Sequence, residues 1–98
     1  MSSQYYVYLM ANPRKTVLYT GVTNDLIRRV WQHREQQDHG FTHRYHCTNL
    51  VFYEIFRDPY TAITREKQIK AGSRGRKIAL IQAMNPEWVD LYQSLRGA

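Results

Sequence analysis

Five side chains of this sequence carry groups that could together hydrolyse a phosphodiester bond: Tyr8, Tyr19, Arg29, His33 and Glu66. Such a hydrolysis needs a divalent cation held by a carboxylate, a cationic side chain that holds the phosphate oxygens, and a base for the attacking water. Glu66 and Arg29 supply the first two groups, and a tyrosine or histidine can supply the third. Because almost any chain contains these residue types, their positions in the fold must decide whether they form a site.

Tyr8 and Tyr19 lie on two neighbouring strands of the predicted fold. Residues 4–10 are rich in aromatic and β-branched side chains, and residues 16–22 are a second run of the same kind. The short turn between them predicts an antiparallel hairpin. Gly21 follows Tyr19 by two residues and therefore lies on the same side of its strand, where it leaves room for another backbone or a phosphate.

Arg29 and His33 lie on one face of the first predicted helix, because they are four residues apart. This helix is predicted over residues 24–37, where polar side chains at the start offer an N-cap and apolar side chains follow at helical spacing. A polar loop is predicted over residues 38–49.

Glu66 lies on the second predicted helix, which follows a third strand predicted over residues 50–56. Asp58 and Pro59 form a strong helix start, with the aspartate as cap and the proline in the first turn. Gly72 is predicted to end this helix.

Two further helices are predicted, over residues 74–84 and 86–95. The second of these is expected to pack three large side chains on the body of the fold: Trp88, Leu91 and Tyr92. The order β-β-α-β-α-α predicts an α+β fold, in which helices flank a small three-stranded antiparallel sheet. One domain over residues 1–95 and a short tail over residues 96–98 account for the whole chain.

The composition of the 98 residues is that of a globular protein, with 43% hydrophobic and 22% charged residues, which excludes disorder of the whole chain. The net charge of +6 favours polyanionic partners, of which nucleic acid is the commonest. The single cysteine, Cys47, excludes a disulfide within the chain. Because neither a signal peptide nor a membrane-spanning run is recognisable, we expect a cytoplasmic protein without a membrane partner.

Two tripeptides, residues 6–8 (Tyr-Val-Tyr) and 19–21 (Tyr-Thr-Gly), are separated by ten residues and lie on the two strands of the predicted hairpin. Together with the helical segments 23–33 and 65–70, they resemble the GIY-YIG nuclease superfamily. The resemblance covers about residues 4–84. It is closest to the small stand-alone bacterial members, which are related to the N-terminal nuclease domain of UvrC excinuclease.

The resemblance implies an endonuclease that hydrolyses DNA by in-line attack of water, with one divalent metal, Mg²⁺ or Mn²⁺, and a role in DNA repair or processing. Glu66 would be the sole protein ligand of that metal, and Arg29 would hold the scissile phosphate. Tyr19 would lie beside the attacking water, as its base or to orient it, and Tyr8 would hydrogen-bond in the same site. His33 takes the position one helical turn after the arginine, where some members have a histidine base and others a tyrosine.

The chain departs from the family pattern at three places. Tyr6 stands where glycine is usual, and Thr20 stands where isoleucine or valine is usual. Many members also have a lysine just after the second tripeptide, where this chain has Val-Thr at residues 22–23. Lys70 and Arg76 are candidates to replace that cation. The missing lysine leaves open a module that binds nucleic acid without cutting it, and a scaffold that binds another protein is a further alternative.

Several site residues also have a purely structural alternative. Tyr8 and Tyr19 could be strand packing residues with hydrated hydroxyls. Glu66 could pair with Lys70, four residues further along its helix, which would stabilise the helix by about 0.2–0.5 kcal/mol. Glu54, on the third predicted strand, is a rival metal ligand.

A group of histidines and one cysteine lies within fifteen positions and raises zinc as an alternative metal. The spacing fits no closed Cys/His site, and structural zinc sites usually contain more cysteine. We therefore favour a polar loop that reaches toward a phosphate backbone. The group consists of His33, His39, His43, His46 and Cys47.

Basic residues follow the proposed metal ligand and are predicted to contact nucleic acid: Lys67, Lys70, Arg74, Arg76 and Lys77. The alternative is a solvated helix end. A segment at residues 41–45 with two aromatic side chains could stack on an unpaired base. The sequence leaves open the substrate structure, its sequence preference, the choice between DNA and RNA, and the oligomeric state.

Overall fold

The computed structural model describes residues 3–35 and 44–97, and their elements follow the predicted α+β order with one short helix at the end. The strands and helices are β1 (Tyr5–Ala11), β2 (Leu18–Thr23), α1 (Leu26–Arg34), β3 (Asn49–Phe56), α2 (Pro59–Ala71), α3 (Arg74–Met84) and α4 (Tyr92–Arg96). None of these helices is long and apolar enough to cross a membrane.

β1 is the central strand of an antiparallel sheet with the order β2-β1-β3, which confirms the predicted sheet and hairpin. Asn12 fixes the turn between β1 and β2, because its Oδ1 accepts hydrogen bonds from the backbone N–H of Thr16 at 2.8 Å and of Val17 at 2.9 Å. The pairing places Tyr8 opposite Gly21 on β2.

Alternate residues of β1 point to opposite faces of the sheet, and each face is covered by different helices. On one face, here called the α2 face, Leu9 packs with Ala62 and Ile69 of α2 and with Ile81 of α3. On the other face, here called the α1 face, a second set of buried side chains packs against β1. This set comprises Leu26 and Val30 of α1, Cys47, Leu50 of β3 and Tyr92 of α4.

Side-chain caps set the starts of three helices. Asp58 accepts a hydrogen bond from the backbone N–H of Thr61 at 2.8 Å, and this bond is the main reason that the pKa of Asp58 lies below its ordinary value. Ser73 caps α3 in the same way, so the predicted bounds of α2 and α3 are confirmed. α1 begins at Leu26 rather than at the predicted residue 24, because Asp25 is its N-cap.

The last predicted helix is wrong over its first half, because residues 86–91 form an irregular segment with turns at its two ends rather than a helix. Asn85 stabilises this segment. Its side-chain amide donates to the carbonyl oxygens of Val51 and Val89, and its Oδ1 accepts from the Val89 N–H. Trp88 has a positive φ of 56°, which no helix accommodates.

The three large side chains predicted to pack on the body do so: Trp88 lies against the core of the α2 face, and Leu91 and Tyr92 lie against that of the α1 face. α4 continues to Arg96, one residue into the predicted tail. The predicted loop at 38–49 lies outside the described residues as far as residue 43, and its last residue, Asn49, is the first residue of β3.

Candidate active site

Tyr8, Tyr19 and His33 form a cluster on the α1 face. The Tyr8 hydroxyl lies 2.9 Å from Nε2 of His33, and both side chains are 1% exposed. The Tyr19 ring lies 5.3 Å from the His33 ring and 6.2 Å from the Tyr8 ring, measured between centroids, and Tyr19 is half-buried. Since Tyr8 and His33 are almost inaccessible to solvent, Tyr19 is the member of the cluster that a water molecule or substrate could reach.

Gly21 is required by the position of the Tyr8 ring. A Cβ atom at Gly21 would lie 2.5 Å from both Cζ and the hydroxyl oxygen of Tyr8, closer than real Cβ atoms approach. The room that this glycine leaves is therefore filled by the Tyr8 ring itself. The Tyr8 ring consequently lies against Gly21 of β2, and its hydroxyl lies beside His33 of α1.

Arg29 joins this cluster from α1, one helical turn before His33. Partial burial acts to lower the pKa of the Arg29 guanidinium, but electrostatic interactions and hydrogen bonds with Tyr8 and then Tyr19 together outweigh it and raise that pKa. Its Nη1 also donates to Oε1 of Gln32 at 3.0 Å. The neighbouring Arg28 is exposed, so the helical register alone separates the two arginines.

Glu66 lies on α2, which packs against β1 and β2 from the other face of the sheet. It is on the same side of α2 as Ala62 and Ile69, four residues before it and three residues after, and its side chain is only 14% exposed. The Lys70 ammonium lies 4.0 Å from its Oε2, so the predicted pairing exists at the limit of an ion pair. The structure thus brings Tyr8, Tyr19, Arg29 and His33 together and holds Glu66 on a different helix.

Glu54, the rival metal ligand, already has a strong partner. Its two carboxylate oxygens accept hydrogen bonds from Nε and Nη2 of Arg65 at 2.8 Å and 3.1 Å. This two-point contact occupies both oxygens, whereas Glu66 has the looser contact to an exposed lysine. Of the two carboxylates, Glu66 is the less strongly paired.

The zinc alternative gains no support from residues 3–35 and 44–97, where no group of three or more His, Cys, Asp or Glu side chains could hold a metal. Cys47 is fully buried in the α1-face core, and this burial raises the pKa of its thiol to about 11. A thiol must lose its proton to bind zinc, so this environment disfavours it as a ligand. His39 and His43 lie outside the described residues.

Two of the basic residues predicted to contact nucleic acid make bonds within the protein. Lys77 donates from Nζ to the carbonyl oxygens of Gly72 at 2.7 Å and Lys70 at 3.3 Å, and so closes the C-terminal end of α2. Arg74 donates to the carbonyl oxygen of Lys15 at 3.0 Å. The other three predicted contacts are exposed: Lys67, Lys70 and Arg76.

The partner of Arg29, Gln32, is the residue that the sequence analysis did not single out. The sequence spacing could have predicted this contact, because an arginine and a glutamine three residues apart on one helix bring a donor and an acceptor together.

The family model for the GIY-YIG catalytic domain matches residues 4–79. The UPF0213 protein HQ_3675A of Haloquadratum walsbyi is 32% identical over 93 residues, which are 95% of this chain and 99% of that protein. The UPF0213 protein NP_0776A of Natronomonas pharaonis is 35% identical over 81 residues, which are 83% of this chain and 94% of that protein.

Among solved structures, the solution NMR structure of the UPF0213 protein BH0048 from Bacillus halodurans has the same fold. The TM-score is 0.57 at 24% identity, and the match covers 92% of this chain and 95% of that one. The tyrosine pair, the arginine and the glutamate described above all lie within the region that the family model matches. The chain therefore belongs to the GIY-YIG family, a family of nucleases.

Proposed function

We propose that this protein is a metal-dependent endonuclease that hydrolyses phosphodiester bonds in DNA, with a role in DNA repair or processing. The observation that carries the proposal is the convergence of Tyr8, Tyr19, Arg29 and His33 on one face of the sheet. These four residues come from two strands and a helix. An arginine beside two tyrosine hydroxyls is not explained by the packing of apolar side chains.

Arg29 is the group that we propose to hold the scissile phosphate, because a guanidinium has five N–H donors in a fork that matches phosphate oxygens, and this one lies beside Tyr8 and Tyr19. Tyr19 lies beside the attacking water, as its base or to orient it, since its side chain is half-exposed. Tyr8 and His33 are buried and act through their mutual hydrogen bond, which fixes the surface that Tyr19 and Arg29 share. His33 is thus a positioning residue in this scheme rather than the base.

Glu66 fits a hard divalent cation such as Mg²⁺ or Mn²⁺. Its carboxylate is mostly buried, and the contact to Lys70 at 4.0 Å offsets only part of the cost of removing that charge from water. Such a cation takes most of its ligands from water and phosphate oxygens, so one protein carboxylate is sufficient. When bound, the cation supplies neutralisation of the charge that develops on the phosphate.

The test is cleavage of a panel of single-stranded, branched and duplex DNA, and of RNA, with Mg²⁺ and Mn²⁺ varied. We expect Glu66→Ala to lower the cleavage rate by at least roughly 100-fold while nucleic-acid affinity changes little. Glu87→Ala, which removes an exposed carboxylate, is the matched control and should cut at the rate of the unmodified protein. Equal cleavage by the unmodified protein and Glu66→Ala would show that the assigned metal ligand is wrong.

Binding measured at increasing salt distinguishes the remaining alternatives. A nucleic-acid binder loses affinity steeply between low and physiological salt, because binding releases counterions. Steep salt dependence without cleavage of any substrate would indicate a binding module. A flat salt response would indicate a protein-interaction scaffold instead.

A further inference from the structure

Gln32 is a hydrogen-bond partner of Arg29 that lies on the same helix, three residues further along the chain. Its Oε1 accepts a hydrogen bond from Nη1 of Arg29 at 3.0 Å, and both side chains are half-buried. We propose that Gln32 is a positioning residue, which holds the Arg29 guanidinium in the orientation that receives a phosphate. This inference rests on the proposed function for its consequence in catalysis, and on the geometry alone for the effect on Arg29.

The guanidinium is held from two sides. Tyr8 and Tyr19 interact with it from the sheet, and Gln32 engages Nη1 from the next turn of α1. An arginine side chain otherwise samples many rotamers, and fixing it costs conformational entropy at the moment of substrate binding. A bond formed before the substrate arrives removes part of that cost, which is how preorganised groups accelerate a reaction.

The amide suits this role chemically. Its oxygen accepts one N–H and carries no charge, so the guanidinium keeps its full positive charge for a phosphate. Gln32 also lies on the helix that carries Arg29 itself, so its position follows any small movement of α1. Gln32 does not need to touch the substrate to affect the rate.

The experiment compares Gln32→Met, which keeps the length of the side chain but has only a weak thioether acceptor, with Gln32→Glu, which retains an oxygen acceptor. We expect Gln32→Met to lower kcat by roughly 10- to 100-fold with little change in KM, as is typical when a supporting hydrogen bond is lost. Gln32→Glu keeps an acceptor, so its kcat should stay within about fivefold of the unmodified protein, whereas its KM should rise because the added negative charge repels a phosphate. Gln82→Met, at an exposed glutamine of α3, is the matched control and should change neither value.

A second measurement does not depend on cleavage. In the ¹⁵N NMR spectrum of the arginine side chains, without metal or nucleic acid, Arg29 should show restricted guanidinium rotation that is faster in Gln32→Met, where only the tyrosine contacts remain, and unchanged in Gln32→Glu. That pattern supports the positioning role even if the unmodified protein cuts no substrate, a failure that would refute only the proposed function. An Arg29 spectrum that is the same in Gln32→Met and in the unmodified protein would overturn the inference, as would unchanged kcat in an active enzyme.

Discussion

The two faces of β1 are built from different kinds of contact. On the α2 face, Val7 and Leu9 are fully buried among apolar side chains from two helices. On the α1 face, Tyr8 places a hydroxyl in the core and satisfies it with His33. Burying polar groups is costly even when they are hydrogen-bonded to each other, since each must first leave water. The α2-face core is therefore the simpler solution for stability, whereas the α1-face core loses stability to buried polar groups that we propose to take part in catalysis.

The two-residue repeat of a strand allows this division. Neighbouring residues of β1 belong to different cores. Tyr8 can therefore contribute to a polar cluster on one face while Val7 and Leu9 stabilise the fold on the other. Substitutions at neighbouring positions should consequently affect different properties of the protein. The predictions that follow test this separation.

The largest expected effect on stability is on the α2 face. Leu9→Ala should lower the free energy of unfolding by about 2–5 kcal/mol, because the leucine is fully buried and its removal leaves a cavity. Urea denaturation measures this change. The restricted motion of the Arg29 guanidinium should survive, because Leu9 points away from the tyrosine cluster.

Tyr8→Phe is the counterpart on the α1 face. It keeps the ring but removes the hydroxyl that bonds to His33, so stability should fall by about 1–3 kcal/mol. Cleavage should fall further than that loss of stability explains. If Leu9→Ala impaired cleavage by a folded protein more than Tyr8→Phe did, the two faces would not be separate in function.

Gly21→Ala should have the next largest effect. The added Cβ would meet the buried Tyr8 ring at 2.5 Å, and overpacking of this kind costs about 1–3 kcal/mol. Gly75→Ala is the matched control, because the nearest atom to its added Cβ is Oγ of Ser73 at 3.9 Å. Within a helix that change should stabilise by about 0.5–1 kcal/mol. Thermal unfolding of both variants checks the contrast, and equal stabilities would show that the Tyr8 ring moves aside freely.

At neutral pH the smallest expected effect comes from Cys47, because its ionisation affects stability only in alkaline solution. Burial raises the pKa of its thiol to about 11, above the value near 8.5 of a free thiol. The unfolded chain therefore loses this proton first, and the stability that the thiol contributes is lost as the pH rises from about 8.5 to about 11. Unfolding of the unmodified protein and of Cys47→Ala across this range isolates the contribution. A constant difference between the two proteins would contradict the assigned burial.

Local signals in the sequence predicted much of the fold. Asp58, Pro59, Ser73 and Gly72 fix helix ends by capping, and these interactions involve residues within one turn, so α2 and α3 were predicted correctly. The prediction of a helix over residues 86–91 was wrong because the Asn85 side-chain amide donates to the carbonyl oxygen of Val51, thirty-four positions earlier in the chain. A contact at that distance leaves no periodic signal.

The candidate site likewise has some features that local sequence patterns predict and others that depend on long-range contacts. Strand pairing and helical register follow from short-range patterns, so the hairpin of Tyr8 and Tyr19 and the shared helix face of Arg29 and His33 were predicted from spacing. That these two pairs meet was predicted by the resemblance to the GIY-YIG superfamily. The hydrogen bond from Lys77 to the C-terminal end of α2 was not predicted, because the sequence of a basic run does not indicate which acceptor each lysine reaches. Where the carboxylate of Glu66 lies relative to the cluster depends on the packing of α2 across the sheet, which no local pattern encodes.

The C-terminal segment covers an edge of the sheet. β3 is an outer strand, and Leu50 on it donates to Asp90 and accepts from the backbone N–H of Leu91 at 2.8 Å. Asp90 also forms an ion pair with Arg34, so the C-terminal segment contacts α1 as well. The family match ends at residue 79, before any of these contacts. A chain trimmed to that match would expose an unpaired strand edge beside an open apolar core, a combination that invites aggregation through strand addition.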